Sequence, residues 1–229
     1  MSCHIIEIIS RHLSCILLKT LPFGTDPPNF DENRSWSENW PGQFGACACG
    51  GSGFPPGGQA SCEGLTNTSC QDDTIVSTVV GQIRRAANGT LGPPDASSAD
   101  RTTPRRFFIA AGLHKPHMPF YAPPELYALY PDPPAPKPVS PPKSSPYCAW
   151  HSCLSRNPSP AAFSDWGNFT DIPNEMTYEQ PMEAATAARL RRGYAASVSY
   201  TDANVGEILG ALGEAGLASS TIVVLLGDQ

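Results

Sequence analysis

The chain has 229 residues, enough for one ordinary domain with a real core or for a piece of a larger one. Its 15 Lys and Arg against 21 Asp and Glu leave a net charge of -6, which argues against nucleic acid as the main partner, because phosphate binding calls for a positive surface. Only 16% of residues are charged while 25 are proline and 20 glycine, so much of the chain is expected to be loop.

No stretch reaches the ~18 uninterrupted apolar residues of a membrane span. The opening run His4 to Leu18 is apolar but broken by Glu7, Arg11 and His12. It makes a poor signal peptide and reads instead as an element of the fold or an irregular N-terminus. Residues 41–62 are Gly-rich and read as a surface loop. Asp72 and Asp73 then open a helix through Ala87, in which Ile75, Val79, Val80 and Ile83 share one face. The acidic pair suits the helix N-terminus, Arg84 and Arg85 suit its end, and Asn88-Gly89 is a stop signal.

Phe107 to Ala111 reads as a short buried strand, too brief for a helix and rich in aromatic and β-branched side chains. It stops at Gly112-Leu113 and is followed by His114, Lys115, Pro116, His117, Met118, Pro119 and Phe120. A loop at the C-terminal end of a strand is where open α/β sheets place their ligands. Lys115 offers a fixed positive charge, and His114 and His117 offer nitrogens that change protonation near neutral pH. Taken singly, a loop histidine is usually a solvated or hydrogen-bonded side chain, and Pro116 and Pro119 stiffen a turn. The concurrence of stiffness, charge and titratable groups marks the segment as a candidate anion site.

Between 131 and 160 prolines stand at 131, 133, 134, 136, 138, 141, 142 and 146, with two more at 158 and 160, a density that excludes helix and central strand. From about Met182 to Leu217 the pattern is helical, with Leu190, Tyr194, Ser197, Val198, Thr201, Val205, Ile208, Leu209 and Leu212 as its stripe. Gly206 and Gly210 are expected to break or bend it, and Gly216 to cap it. Thr221 to Leu226 follows as a fully apolar strand. Helix then strand, twice over, predicts an α/β fold with a parallel sheet covered on both faces.

Eight cysteines and four Asn-x-Ser/Thr sites (Asn33, Asn67, Asn88 and Asn168) point together to an oxidising compartment. Cys62 with Cys70, and Cys148 with Cys153, have spacings that suit small disulfide loops, though connectivity is open. Cys47-Ala-Cys49 is awkward for an internal bridge and lacks the gap of a zinc knuckle. The arginine clusters at 84–85, 105–106 and 189–192 read as helix-end or solvated charges, with contact to an anionic sugar as the alternative.

Phe107-Phe-Ile-Ala-Ala-Gly-Leu-His-Lys-Pro-His-Met-Pro-Phe120, with Tyr121 to Pro131 after it, resembles the sulfatase family, and within it the iduronate-2-sulfatase branch. Arg192 to Gly206 is similar to the long helix before the second metal-binding strand, and Ser220 to Gln229 to that strand itself. Pro28 to Ser37 agrees more weakly. The resemblance implies an alkaline-phosphatase-like α/β fold, a mostly parallel sheet with flanking helices. Residues 1–229 would form part of one N-terminal catalytic domain, incomplete in this chain, with insertion loops near 41–62 and 131–160. It also implies a sulfuric ester hydrolase acting on a sulfated carbohydrate such as a sulfated uronate of glycosaminoglycans, lysosomal or secreted.

By the same resemblance His117 contacts sulfate or protonates the leaving oxygen, with His114 and Lys115 supporting it. Lys19, in Lys19-Thr-Leu-Pro-Phe-Gly24, stands near the position of a family lysine. Asp228 would be a hard oxygen ligand to one Ca²⁺ ion, and Gln229 stands where the family has His or Asn. The family nucleophile is a formylglycine made from Cys or Ser in Cys/Ser-x-Pro-x-Arg, and none of the eight cysteines begins that pattern. Two other classes therefore stand beside the hydrolase: a non-catalytic glycan-binding protein on the same scaffold, and a phosphatase or phosphodiesterase, which the His-Lys-Pro-His-x-Pro-Phe pattern disfavours.

Overall fold

The computed structural model describes residues 4–10, 15–18, 47–49, 59–66, 68–91, 107–131 and 183–227. They belong to two compact units: Met1–Gly45, Cys70–His117 and Thr201–Gln229 form the first, Ala46–Ser69 and Met118–Tyr200 the second. Lys19, Asn33, Asn67, Asn168, Asp228, Gln229, Cys148, Cys153 and most of 131–160 lie outside the described residues.

The first unit is built on a four-stranded sheet with strand order β2-β5-β1-β6. Its strands are β1 (His4–Ser10), β2 (Cys15–Leu18), β5 (Phe108–Leu113) and β6 (Thr221–Gly227). The apolar opening segment thus supplies two strands. β2 pairs with β5 in parallel, and β1 runs antiparallel to both β5 and β6, its Ile8 facing Ile109 on one side and Val223 on the other. β2, β5 and β6 therefore point the same way, and the departure from the expected parallel sheet is the single strand β1 between them.

α1 (Gln71–Ala87) forms where the apolar spacing predicts it, with Asp72 and Asp73 in its first turn and Arg84 and Arg85 in its last. Ile75, Val79 and Ile83 are fully buried, each burial contributing roughly 1.5–3 kcal/mol. The helix ends as a Schellman motif. Gly89 takes φ 67, its N–H reaches Ala86 O at 3.1 Å, and Thr90 N–H reaches Arg85 O at 2.9 Å. The core joins this face of α1 to Leu91, Phe107, Ile109, Ala111 and Leu113 of the β5 segment and to Ile208, Ala211 and Leu212.

Those last residues sit on the long helix α3 (Ala184–Glu214), which Gly206 and Gly210 do not interrupt. Both glycines are exposed, so neither is forced to admit a neighbour. α3 closes with a second Schellman motif at Gly216, φ 70, where Leu217 N–H bonds to Leu212 O at 3.1 Å. Its buried face is rotated from the predicted stripe: Leu190, Ala196, Ser197, Tyr200, Thr201, Asn204, Ile208, Ala211 and Leu212 are buried, while Tyr194, Val198 and Leu209 are exposed. Small and polar residues occupy positions where sequence reasoning favours bulk.

β5 is buried along nearly its whole length, whereas β6, equally apolar, is not. Ile222 and Leu225 are 61% and 59% exposed. β6 pairs only with β1 among the described strands, so the expectation of a sheet covered on both faces fails at this edge.

The second unit contains the two-residue strands β3 (Ala48–Cys49) and β4 (Thr68–Ser69), paired antiparallel, and the short helix α2 (Pro124–Tyr127). Phe120 N–H bonds to Ala60 O at 2.7 Å and Cys62 N–H to Phe120 O at 2.9 Å, which stitches residues 60–62 alongside Phe120. Cys62 is disulfide-bonded to Cys49, with Cα atoms 4.6 Å apart, and not to Cys70 as its spacing suggests. The Gln59 N–H to Cys49 O bond of 3.0 Å shows why: backbone pairing brings the two segments together before any side chain is considered. Cys47 and Cys70 are disulfide-bonded as well.

Candidate functional site

The segment after β5 folds into a tight turn. His117 N–H bonds to His114 O at 3.1 Å across a cis Lys115–Pro116 bond, a type VI turn, and Met118–Pro119 is cis as well. The two imidazoles that flank the turn have ring centroids 4.8 Å apart, tilted by 46°. His114 is buried, Lys115 is 0% exposed, and His117 is partly exposed. Of the three, His117 is the one that meets solvent.

Lys115 does not point its charge outward. Its Nζ donates to His117 O at 2.7 Å. Burial pulls the ammonium down from 10.5 to about 7, and the Asp72 carboxylate opposes that fall.

Asp72 is the residue that sequence reasoning read as a helix-end charge and nothing more. It is 0% exposed, and its two oxygens accept the backbone N–H groups of His114 at 2.9 Å and Lys115 at 3.0 Å. Burial raises its carboxyl above the usual 3.8, against the lowering effect of those two hydrogen bonds and of Lys115. A signal for it existed: Asp72, Ile75, Val76, Val79 and Ile83 stand at i, i+3, i+4, i+7 and i+11, so the acid lies on the apolar stripe. Asp73 lies off it and is exposed.

What the turn can do chemically is hold one partly exposed imidazole rigidly at the end of a buried strand, where it can donate a hydrogen bond or a proton to an anion. Of the other predicted site residues, Asn88 is described: it is exposed at the C-terminal cap of α1, accessible to modification. Among the described residues no group of three His, Cys, Asp or Glu side chains is placed to hold a metal ion. They therefore do not by themselves fit a Ca²⁺ site. No helix among the described residues is long and apolar enough to cross a membrane.

Residues 68–229 match the family model described as Sulfatase. The chain is 33% identical over 158 residues to iduronate 2-sulfatase of Homo sapiens and 32% identical over 158 residues to that of Mus musculus, in each case across 62% of this chain and 26% of the relative. It is 29% identical over 123 residues to a sulfatase of Formosa agariphila, across 54% of this chain and 22% of the relative. The chain thus spans about a quarter of the length of these curated relatives. The matched span contains α1, the His114–His117 turn, α3 and β6.

Proposed function

The chain belongs to the sulfatase family, and from that premise we propose that it is part of the catalytic domain of a sulfuric ester hydrolase in which the His114–His117 turn faces the sulfate group. The α/β frame would be the alkaline-phosphatase-like one, with β2, β5 and β6 as strands of common direction. The observation that carries the reading is the turn itself: a partly exposed imidazole, backed by a second imidazole and a buried ammonium, at the end of the strand where such sheets bind ligands. His117 contacts a sulfate oxygen or gives its proton to the departing sugar oxygen, which leaves better as an alcohol than as an alkoxide. Lys115 acts from beneath by holding the His117 carbonyl, and His114 packs behind the ring.

A sulfated uronate of a glycosaminoglycan is the substrate class proposed, on the likeness to the iduronate 2-sulfatases. Lys19 is proposed as a second contact to sulfate. Asp228, with Gln229, is proposed as a ligand to a Ca²⁺ ion that would neutralise charge on the sulfate. The four disulfide-bonded cysteines support a lysosomal or secreted setting, with glycosylation at Asn33, Asn67, Asn88 and Asn168. Wild-type chain should bind inorganic sulfate, and His117→Ala should weaken that binding at least tenfold, on the order of one charge-assisted hydrogen bond. A chain extended to include Cys/Ser-x-Pro-x-Arg should hydrolyse an aryl sulfate or a sulfated uronate; sustained inactivity with Ca²⁺ present would refute the hydrolase reading.

The lack of Cys/Ser-x-Pro-x-Arg within the 229 residues favours, as the second reading, a non-catalytic glycan-binding protein. Binding of heparin-like chains without turnover, lost in His117→Ala, would decide for it.

A further inference from the structure

α1 does not use Asp72 as its own cap. Its N-cap is Cys70, with no side-chain hydrogen bond to the first turn. The exposed Asp73 already places a carboxylate beside the positive end of the helix dipole. A buried carboxylate costs stability unless its lone pairs are engaged, and those of Asp72 are engaged 42 and 43 residues away, by the His114 and Lys115 amides. Lys115 then carries the restraint forward, since its ammonium, paired electrostatically with Asp72, holds the His117 carbonyl at 2.7 Å. Two amides at the start of the turn and one carbonyl at its end are thereby fixed by one acid–base pair. The turn is tied to the N-terminus of α1, not only to the end of its own strand.

We infer that Asp72 is a positioning residue for the sulfate-facing turn, holding His117 in register through the His114 and Lys115 amides and the Lys115 ammonium. The inference rests on the reading of His117 as a sulfate contact but concerns a different residue on a different element. It separates Asp72 from its neighbour: the two adjacent aspartates have unrelated roles.

The test uses the full 229-residue chain with inorganic sulfate as probe, in wild type, Asp72→Asn and Asp73→Asn. Asn keeps the size of the side chain and one carbonyl oxygen but removes the charge and one of the two acceptors. Sulfate affinity is followed by the His117 ring resonances, and amide hydrogen exchange is read at His114, Lys115 and, as a control for the helix, Val79 to Ile83. The expected result is about a tenfold loss of sulfate affinity in Asp72→Asn. Exchange should quicken at His114 and Lys115 and stay unchanged in α1, with Asp73→Asn like wild type throughout. A folded Asp72→Asn with wild-type affinity and wild-type exchange at His114 and Lys115 overturns the inference.

If wild type itself does not bind sulfate, the reading of the turn as a sulfate site fails, and the exchange data alone decide the role of Asp72. Should Asp72→Asn not fold, through-hydrogen-bond couplings in wild type between the Asp72 carboxylate carbon and the His114 and Lys115 amide nitrogens decide it. Their presence upholds the clamp and their absence sinks it.

Discussion

Lys115 places its amine where water does not reach, and this has a consequence for stability that can be measured. Burial pulls its pKa from 10.5 to about 7. Between those values the unfolded chain holds a proton that the folded chain has released, so stability rises with pH through the window and levels off near 10.5. The whole displacement corresponds to about 5 kcal/mol, at about 1.4 kcal/mol per pH unit. Asp72 has the opposite sign: its raised carboxyl makes the folded chain the stronger proton binder, so its contribution falls as pH climbs through that raised value. Tyr127, whose phenol burial pushes up to about 12, destabilises only above pH 10. Comparison with a variant lacking the amine, over pH 7.5 to 10, isolates the lysine's share. Urea unfolding of wild type and Lys115→Met at half-unit steps should show the wild type gaining about 1 kcal/mol or more per pH unit relative to the variant. Methionine retains the apolar stem and removes the charge. Parallel slopes for the two proteins would refute the lowering of the Lys115 pKa by burial.

Three further outcomes follow from the packing. A Cβ at Gly193 would lie 2.6 Å from Ser61 Oγ and 3.1 Å from Phe120 Cβ, so Gly193→Ala should destabilise by roughly 1–3 kcal/mol, while Gly206→Ala, with open space around it, should stabilise by about 1 kcal/mol. Both are read from urea midpoints, and equal shifts of one sign would contradict the close approach at Gly193. Replacing Cys49 and Cys62 by serine opens a loop of sequence separation 13 and should cost about 3 kcal/mol in the same assay. Leu225→Lys on the exposed edge strand should lower self-association, followed by light scattering against concentration, with no loss of helical circular dichroism.

Elements whose burial is one-sided and regular were legible in the sequence. α1 announces its face, its charged ends and its glycine stop, and β5 announces itself as an apolar run cut off by a stiff turn. α3 was legible in extent and only partly in orientation: Leu190, Ile208 and Leu212 are buried as the stripe predicts, but the inner face also includes Gly193, Ala196, Ser197 and Asn204, which carry little hydrophobic signal. β6 reads like β5 in composition, since an apolar run has the same appearance at the centre of a sheet and at its edge. The Cys49–Cys62 pairing depends on which backbone segments align, which spacing along the chain does not encode. At the candidate site the histidines and the lysine were visible as types in a pattern; for Asp72 the apolar stripe of α1 signals burial, but its partners appear only when its hydrogen bonds cross from α1 to the turn.

The bridge between Cys49 and Cys62 also governs how damage to the chain would show itself. Any single peptide bond cut between these two residues leaves both halves covalently joined through sulfur. Such a nicked molecule would run at full size on a non-reducing gel and fall into two pieces only when a thiol is added. Apparent integrity under oxidising conditions therefore says nothing about the continuity of residues 50–61, and reduction before electrophoresis is the step that reveals it.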